Sequence, residues 1–284
     1  MRRNPIVVVA LLALIGALGV VVVVVDSLSG SIKLPALGPE CTVRADGEVT
    51  LDATQMANAA TITAVGVRRE MPERAVVVAL ATALQESKLE NIEHGDRDSL
   101  GLFQQRPSQG WGTREQVQDP RYASDRFYSA LTKVKGWKKM RVTDAAQRVQ
   151  RSAYPNAYEK WADQAAVLAR ALTGRATGAV ACTLSGKPVL RGAAAAAALL
   201  QGLKLDWGKG LAKTDGRREG LTVAVSDVGA GWRYAHWLVA HARDTGLERV
   251  RFADLEWHAP TGKWQPVTGD RVVGPGTVVA QVFS

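Results

Sequence analysis

The run Ala75–Leu84, AVVVALATAL, constrains this chain more than any other stretch. Apolar side chains cover every face of a helix built from it, so the rest of a domain must wrap that helix on all sides. Pro72 suits the turn that opens it, where a missing N–H costs nothing, and Glu73 suits the positive end of the helix dipole. The last turn reads Gln85-Glu86-Ser87. Burying a carboxyl there is costly unless something uses it. Burial and the negative end of the dipole both favour the neutral acid, the form that donates a proton. Glu86 is therefore the leading candidate for acid–base chemistry.

One loop later come His94-Gly95-Asp96-Arg97-Asp98 and then Ser99-Leu100-Gly101-Leu102-Phe103-Gln104. The succession of Glu86-Ser87-Lys88-Leu89 closing an apolar helix, Gly95-Asp96-Arg97, and Ser-x-Gly-Leu-Phe-Gln resembles the lysozyme-like family of soluble lytic transglycosylases and goose-type lysozymes. The resemblance spans roughly Leu51 to Thr173; Phe103 stands where the family usually has Met. It implies a mainly α domain in which Glu86 is the acid/base and the Gly101–Gln104 turn lines a sugar cleft. The implied substrate is the glycan strand of peptidoglycan, cut at the β-1,4 bond between N-acetylmuramic acid and N-acetylglucosamine, with no cofactor and no metal. Asp96 and Asp98 are the candidates for the second catalytic group; the resemblance favours Asp96, positioning water, whose other reading is a turn residue paired with Arg97. The substrate-binding candidates are Ser87, Ser99, Gly101, Gln104, Tyr154 and Tyr158. Gln104 offers a donor and an acceptor to an N-acetyl sugar, Ser87 offers a hydroxyl beside the acid, and the resemblance makes either Tyr154 or Tyr158 the tyrosine of the cleft. The sequence does not choose between water and the muramic 6-hydroxyl as attacking group.

Local signals place the other helices of this region, 51–174. Asp52 caps a helix running toward Val67. Thr113 with Gln116 makes a capping box for one turn. Asp119-Pro120 opens a helix carrying Tyr122, Phe127, Ala130 and Leu131, and Thr143 caps another around Ala145–Val149. Asn156 caps the last, which Gly174 stops.

Ile6–Val25 is an unbroken apolar run of bilayer length, preceded by Arg2 and Arg3 and followed by Asp26. It reads as a transmembrane anchor over 1–26 that leaves the bulk of the chain outside the cytoplasm. A cleaved signal peptide is the rival reading, but the run is long for one and no Ala-x-Ala site follows. Asp26–Glu40, rich in Ser, Gly and Pro, reads as a tether, and the whole interval 27–50 is assigned to a linker. In an oxidising compartment Cys41 and Cys182 most simply form one disulfide, the alternative being two free thiols.

With 36 Lys+Arg against 27 Asp+Glu the net charge is +9, which favours anionic partners. The basic residues are scattered and no RNA- or DNA-binding motif is present, so nucleic acid is not expected as a partner. After a second linker, 175–189, the chain reads as a small α+β domain over 190–284: helices at Leu190–Leu203 and Trp232–Thr245, strands at Leu221–Val228, Val250–Trp257 and Thr277–Phe283. It weakly resembles domains related to zinc-dependent peptidoglycan peptidases. The closing His-x-His of those is absent, and His236 and His241 do not share a helical face, so no zinc is expected and the domain reads as a binding or spacing module. The fold class is thus α+β. Two rivals stand beside the muralytic enzyme: a wall-binding or scaffolding ectodomain without turnover, and a zinc peptidase acting through the C-terminal domain.

Overall fold

In the computed structural model the described residues are 40–184, 186–209, 212–215 and 220–284. The apolar run Ile6–Val25 and the tether up to residue 39 lie outside them. Among the described residues, no helix is long and apolar enough to cross a membrane.

The chain is mixed α and β, as expected. Strands β1 (Glu40–Arg44) and β2 (Glu48–Asp52) form a hairpin, and Asp52 caps α1 (Ala53–Arg68) through a capping box with Gln55. Helix α2 (Glu73–Ser87) follows. Every residue from Ala75 to Leu84 is buried, so the apolar run is the central helix that its composition demanded. Around it pack α1, α4 (Pro120–Thr132), α5 (Val142–Gln150) and α6 (Ala162–Leu172), while the single-turn α3 (Arg114–Gln118) leans on α4. Truncating one fully buried side chain of α2, such as Leu80→Ala, would cost about 3 kcal/mol.

Several boundaries differ from the sequence reading. Residues 40–50 and 180–183 are not linker: alternating burial lets them form β1, β2 and β3 (Val180–Thr183), a three-stranded antiparallel sheet in the order β2-β1-β3. Cys41 and Cys182 are paired across β1 and β3 and joined by a disulfide 141 residues apart in sequence. Thr143 is not a cap; it lies inside α5, where Glu159 accepts from its N–H (3.0 Å) and its own hydroxyl donates to Pro155 O (2.6 Å). Asn156 does not cap α6, which begins after a 3₁₀ turn at Glu159–Trp161.

The second half contributes α7 (Gly192–Trp207), α8 (Val228–Ala240), the short α9 (Ala242–Thr245) and six strands. These are β4 (Ala212–Asp215), β5 (Gly220–Ala224), β6 (Leu247–Phe252), β7 (Leu255–His258), β8 (Lys263–Pro266) and β9 (Thr277–Val282), in the order β4-β5-β9-β6-β7-β8, each antiparallel to its neighbours. The single strand expected over Val250–Trp257 is a hairpin of β6 and β7, reversed at Ala253 with φ 52°. The two halves share one continuous core. At their contact Asp206, fully buried, accepts from Thr61 (2.9 Å), Trp237 Nε1 (2.8 Å) and Arg121 (2.5 Å). A buried carboxylate is tolerated because each oxygen is paired.

Candidate active site

Glu86 lies in the last turn of α2 and is half-buried. The helix ends one residue later because Lys88 and Leu89 both turn left-handed, at φ 56° and 63°. The chain then comes back over the helix end. Ser87 Oγ donates to Leu102 O (2.8 Å) and contacts Ala83 O (3.1 Å), which ties the Ser99–Gln104 turn to α2. Leu100 and Gln105 exchange two backbone hydrogen bonds across the turn's neck. Gly101 has φ 74° and donates to Ile92 O, and a Cβ there would stand 2.4 Å from Val117 O, so only glycine fits.

Oε1 of Glu86 is held from two sides. The Tyr158 hydroxyl donates to it at 2.7 Å and Gln150 Nε2 at 3.2 Å. The same Gln150 amide donates to Phe103 O at 2.7 Å, so one side chain joins α5, the turn and the acid. Oε2 has no hydrogen-bond partner among the described residues. Burial first, and then the adjacent Glu86 carboxyl, push the Tyr158 phenol above its usual range, which favours its donating form. Behind the acid, Trp161 Nε1 donates to Gln85 Oε1 at 2.9 Å, and the Lys88 ammonium sits 4.1 Å from the Trp161 ring centre.

A cleft of about 520 Å³ opens beside this cradle. Gln104 and Gln150 lie in its wall, which places Glu86 one hydrogen bond from the lining; half-buried Trp111 lies further along. Gln104 has φ 46° and folds its amide toward Gly101 O (3.3 Å) and over Gly95, where a Cβ would meet its Oε1 at 1.9 Å.

The structure sorts the candidate residues. Gln104 lines the cleft, Glu86 and Tyr158 stand behind it through Gln150, and Gly101 shapes the turn. Ser99 is buried in that turn, and its N–H donates to Asp96 O. Ser87 spends its hydroxyl on backbone carbonyls. Tyr154 is 74% exposed and bonds only through its backbone, its N–H donating to Ser152 Oγ and its carbonyl accepting from Ala157 N–H, so Tyr158 is the tyrosine beside Glu86. Asp96 has a carboxylate that is 89% exposed, 3.9 Å from Arg97, and nothing among the described residues links it to Glu86; its turn-and-pair reading fits this placement. Asp98 is clamped by Arg106 Nε (2.9 Å), Ser108 N–H (2.7 Å) and Ser108 Oγ (2.9 Å), and the Arg106 guanidinium foremost holds its carboxyl well below the usual range. Gln150 was not among the candidates. Its signal in the sequence is slight: it follows Ala146 by one turn, at the edge of the apolar stripe of α5.

Phe103 is fully buried and stacks on Phe127 at 4.8 Å. Its ring has an aromatic partner in the core, and its carbonyl accepts from Gln150. In the second half, His236 is fully buried with both nitrogens engaged: Ala179 N–H donates to Nε2 and Nδ1–H donates to Ala171 O. His241 Nδ1 likewise faces Trp237 O. Set against family models and curated proteins, the chain matches none.

Proposed function

We propose that this is a lysozyme-like, peptidoglycan-cleaving glycosidase or lytic transglycosylase with Glu86 as its single acid/base. The observation that carries the proposal is the asymmetric cradle: Oε1 is held by Tyr158 and Gln150, Oε2 has no partner among the described residues, and the same Gln150 lines a cleft. A carboxyl held by one oxygen presents the other in a fixed direction, which is what proton delivery to a glycosidic oxygen needs. Oε2–H protonates the leaving-group oxygen as the C1–O bond breaks with oxocarbenium character. The resulting carboxylate then takes a proton from the attacking hydroxyl, and the new C1–O bond closes. Asp98 is committed to Arg106 and Ser108 and Asp96 stands in solvent, so one carboxyl serves both steps.

The proposal includes a membrane anchor at Ile6–Val25 and an extracytoplasmic location for the bulk of the chain. The Cys41–Cys182 disulfide supports the location, because such bonds persist in oxidising compartments. The second half would serve as a binding or spacing module; the saturated ring nitrogens of His236 speak for that over zinc chemistry.

Glu86→Gln tests the reading, since it keeps the shape and removes the transferable proton. Wild type should release soluble muropeptides from purified peptidoglycan and the variant should release none. Release at the parent rate by the variant overturns the assignment. Retention on sacculi by wild type without release favours the wall-binding rival. Mass spectrometry of the products separates 1,6-anhydro ends from reducing ends.

A further inference from the structure

The cleft carries a charge pattern that cleaving a glycosidic bond does not by itself require. Its wall includes Arg106, Arg126, Lys133, Arg148 and Arg151, and no Asp or Glu. Arg106 is occupied by Asp98. Lys133, Arg148 and Arg151 are exposed, and among the described residues their side chains have no hydrogen bond or ion pair. A second hollow of about 560 Å³ shares Lys133, Arg148 and Arg151, adds Lys135, and also lacks an acid in its lining. The cationic track therefore runs outward from Gln150, next to Glu86. It is built from two elements: Lys133 and Lys135 follow α4, while Arg148 and Arg151 close α5. Complementing the helix dipole accounts for the two arginines at the end of α5. It does not account for lysines brought from another segment to the same hollow. Like charges set side by side repel, and a ligand of opposite charge relieves that.

We propose that this track binds carboxylates borne by the glycan strand, so that the site takes anionic strands in preference to neutral ones. The carboxylate is either the lactyl group on the sugar or a peptide stem attached through it. The inference rests on the glycosidase reading and deepens it.

The test compares strands of equal length: neutral N-acetylglucosamine oligomers, lactyl-bearing strands without stems, strands with stems, and the last two after amidation of their carboxylates. Expected is a KM about tenfold lower for carboxylated than for amidated strands, as two or three exposed ion pairs give together. That difference should shrink as NaCl rises from about 0.05 M to about 0.5 M, where screening closes in. It should vanish in Lys133→Glu/Arg148→Glu and persist in Lys133→Arg/Arg148→Lys. A preference already complete without stems assigns the lactyl group, and one that appears only with stems assigns the peptide. Equal KM on carboxylated and amidated strands overturns the proposal, as does tighter retention of a phosphodiester polymer than of carboxylated strands. Binding of the same strands to Glu86→Gln, read by fluorescence anisotropy, keeps the two conclusions apart. Charge-dependent binding without wild-type turnover removes the glycosidase alone; turnover with charge-blind binding removes the track alone.

Discussion

The Tyr158 hydroxyl donates to Glu86 Oε1 at 2.7 Å, across 72 residues of sequence. Tyr158 is buried, and burial with the neighbouring Glu86 carboxyl holds its phenol above the usual range, which keeps the form that donates this bond. Removing it in Tyr158→Phe should lower kcat about 10- to 100-fold with little change in KM, since a hydrogen bond to a charged group is worth about 1.5–3 kcal/mol. The alkaline limb of the pH–rate profile should stay where it is, because this phenol does not titrate there. Peptidoglycan clearance measured across pH checks both statements.

Gln150 links the acid to Phe103 O, so it positions Glu86 through the turn. Gln150→Ala should reduce kcat about tenfold while thermal stability falls by only about 1 kcal/mol. Gln150→Glu should be worse than the alanine, because it sets a second carboxyl against the first. Parallel kinetics and melting of the two variants decide this.

The disulfide closes a very long loop. Reducing it, or changing Cys41→Ser with Cys182→Ser, should lower unfolding free energy by about 3–5 kcal/mol in the chain-entropy description. Denaturant titration with and without reductant measures the change.

Burial holds the neutral form of His236, taking its pKa from about 6.5 down to about 4, against a smaller upward pull from its bond to Ala171. His241 is displaced in the same direction, also by burial first. The unfolded chain takes up these protons before the folded one does. Stability is therefore full above about pH 6.5, falls as pH drops, and has lost the His236 contribution by about pH 4. Urea midpoints between pH 7 and 4 should fall less steeply in His236→Gln than in wild type.

Asp206 binds α1, α4 and α8 to α7. Asp206→Ala leaves the Arg121 charge and the Thr61 and Trp237 donors without their acceptor, at a cost of about 3–5 kcal/mol. Calorimetry should show a lower transition, split in two if this contact is what makes the halves unfold together.

Three of the helices were legible because each carries its own punctuation, whereas α5 and α6 begin without the caps expected for them. The Asp52, Thr113 and Asp119 caps lie where local chemistry put them. Glu86 was legible for a different reason, a charge where apolar sequence leaves no room for one. The three-stranded sheet was not, because β1 and β3 find each other across the whole helical half and no local pattern encodes that pairing. Tyr158 could not be told from Tyr154 since the loop that buries one and exposes the other is held at Pro155 and Glu159 by Thr143 of α5. Gln150 acts through a backbone carbonyl, and a carbonyl leaves no trace in side-chain identity.

The Cys41–Cys182 clasp has a mechanical consequence. The chain enters the helical half at β1 and leaves it at β3, and those strands are covalently joined. Tension applied at Glu40 would pass directly across that clasp into the carboxyl-terminal half. The helices around Glu86 lie in the loop that the disulfide closes, so a pull along the chain bypasses them through the covalent bond.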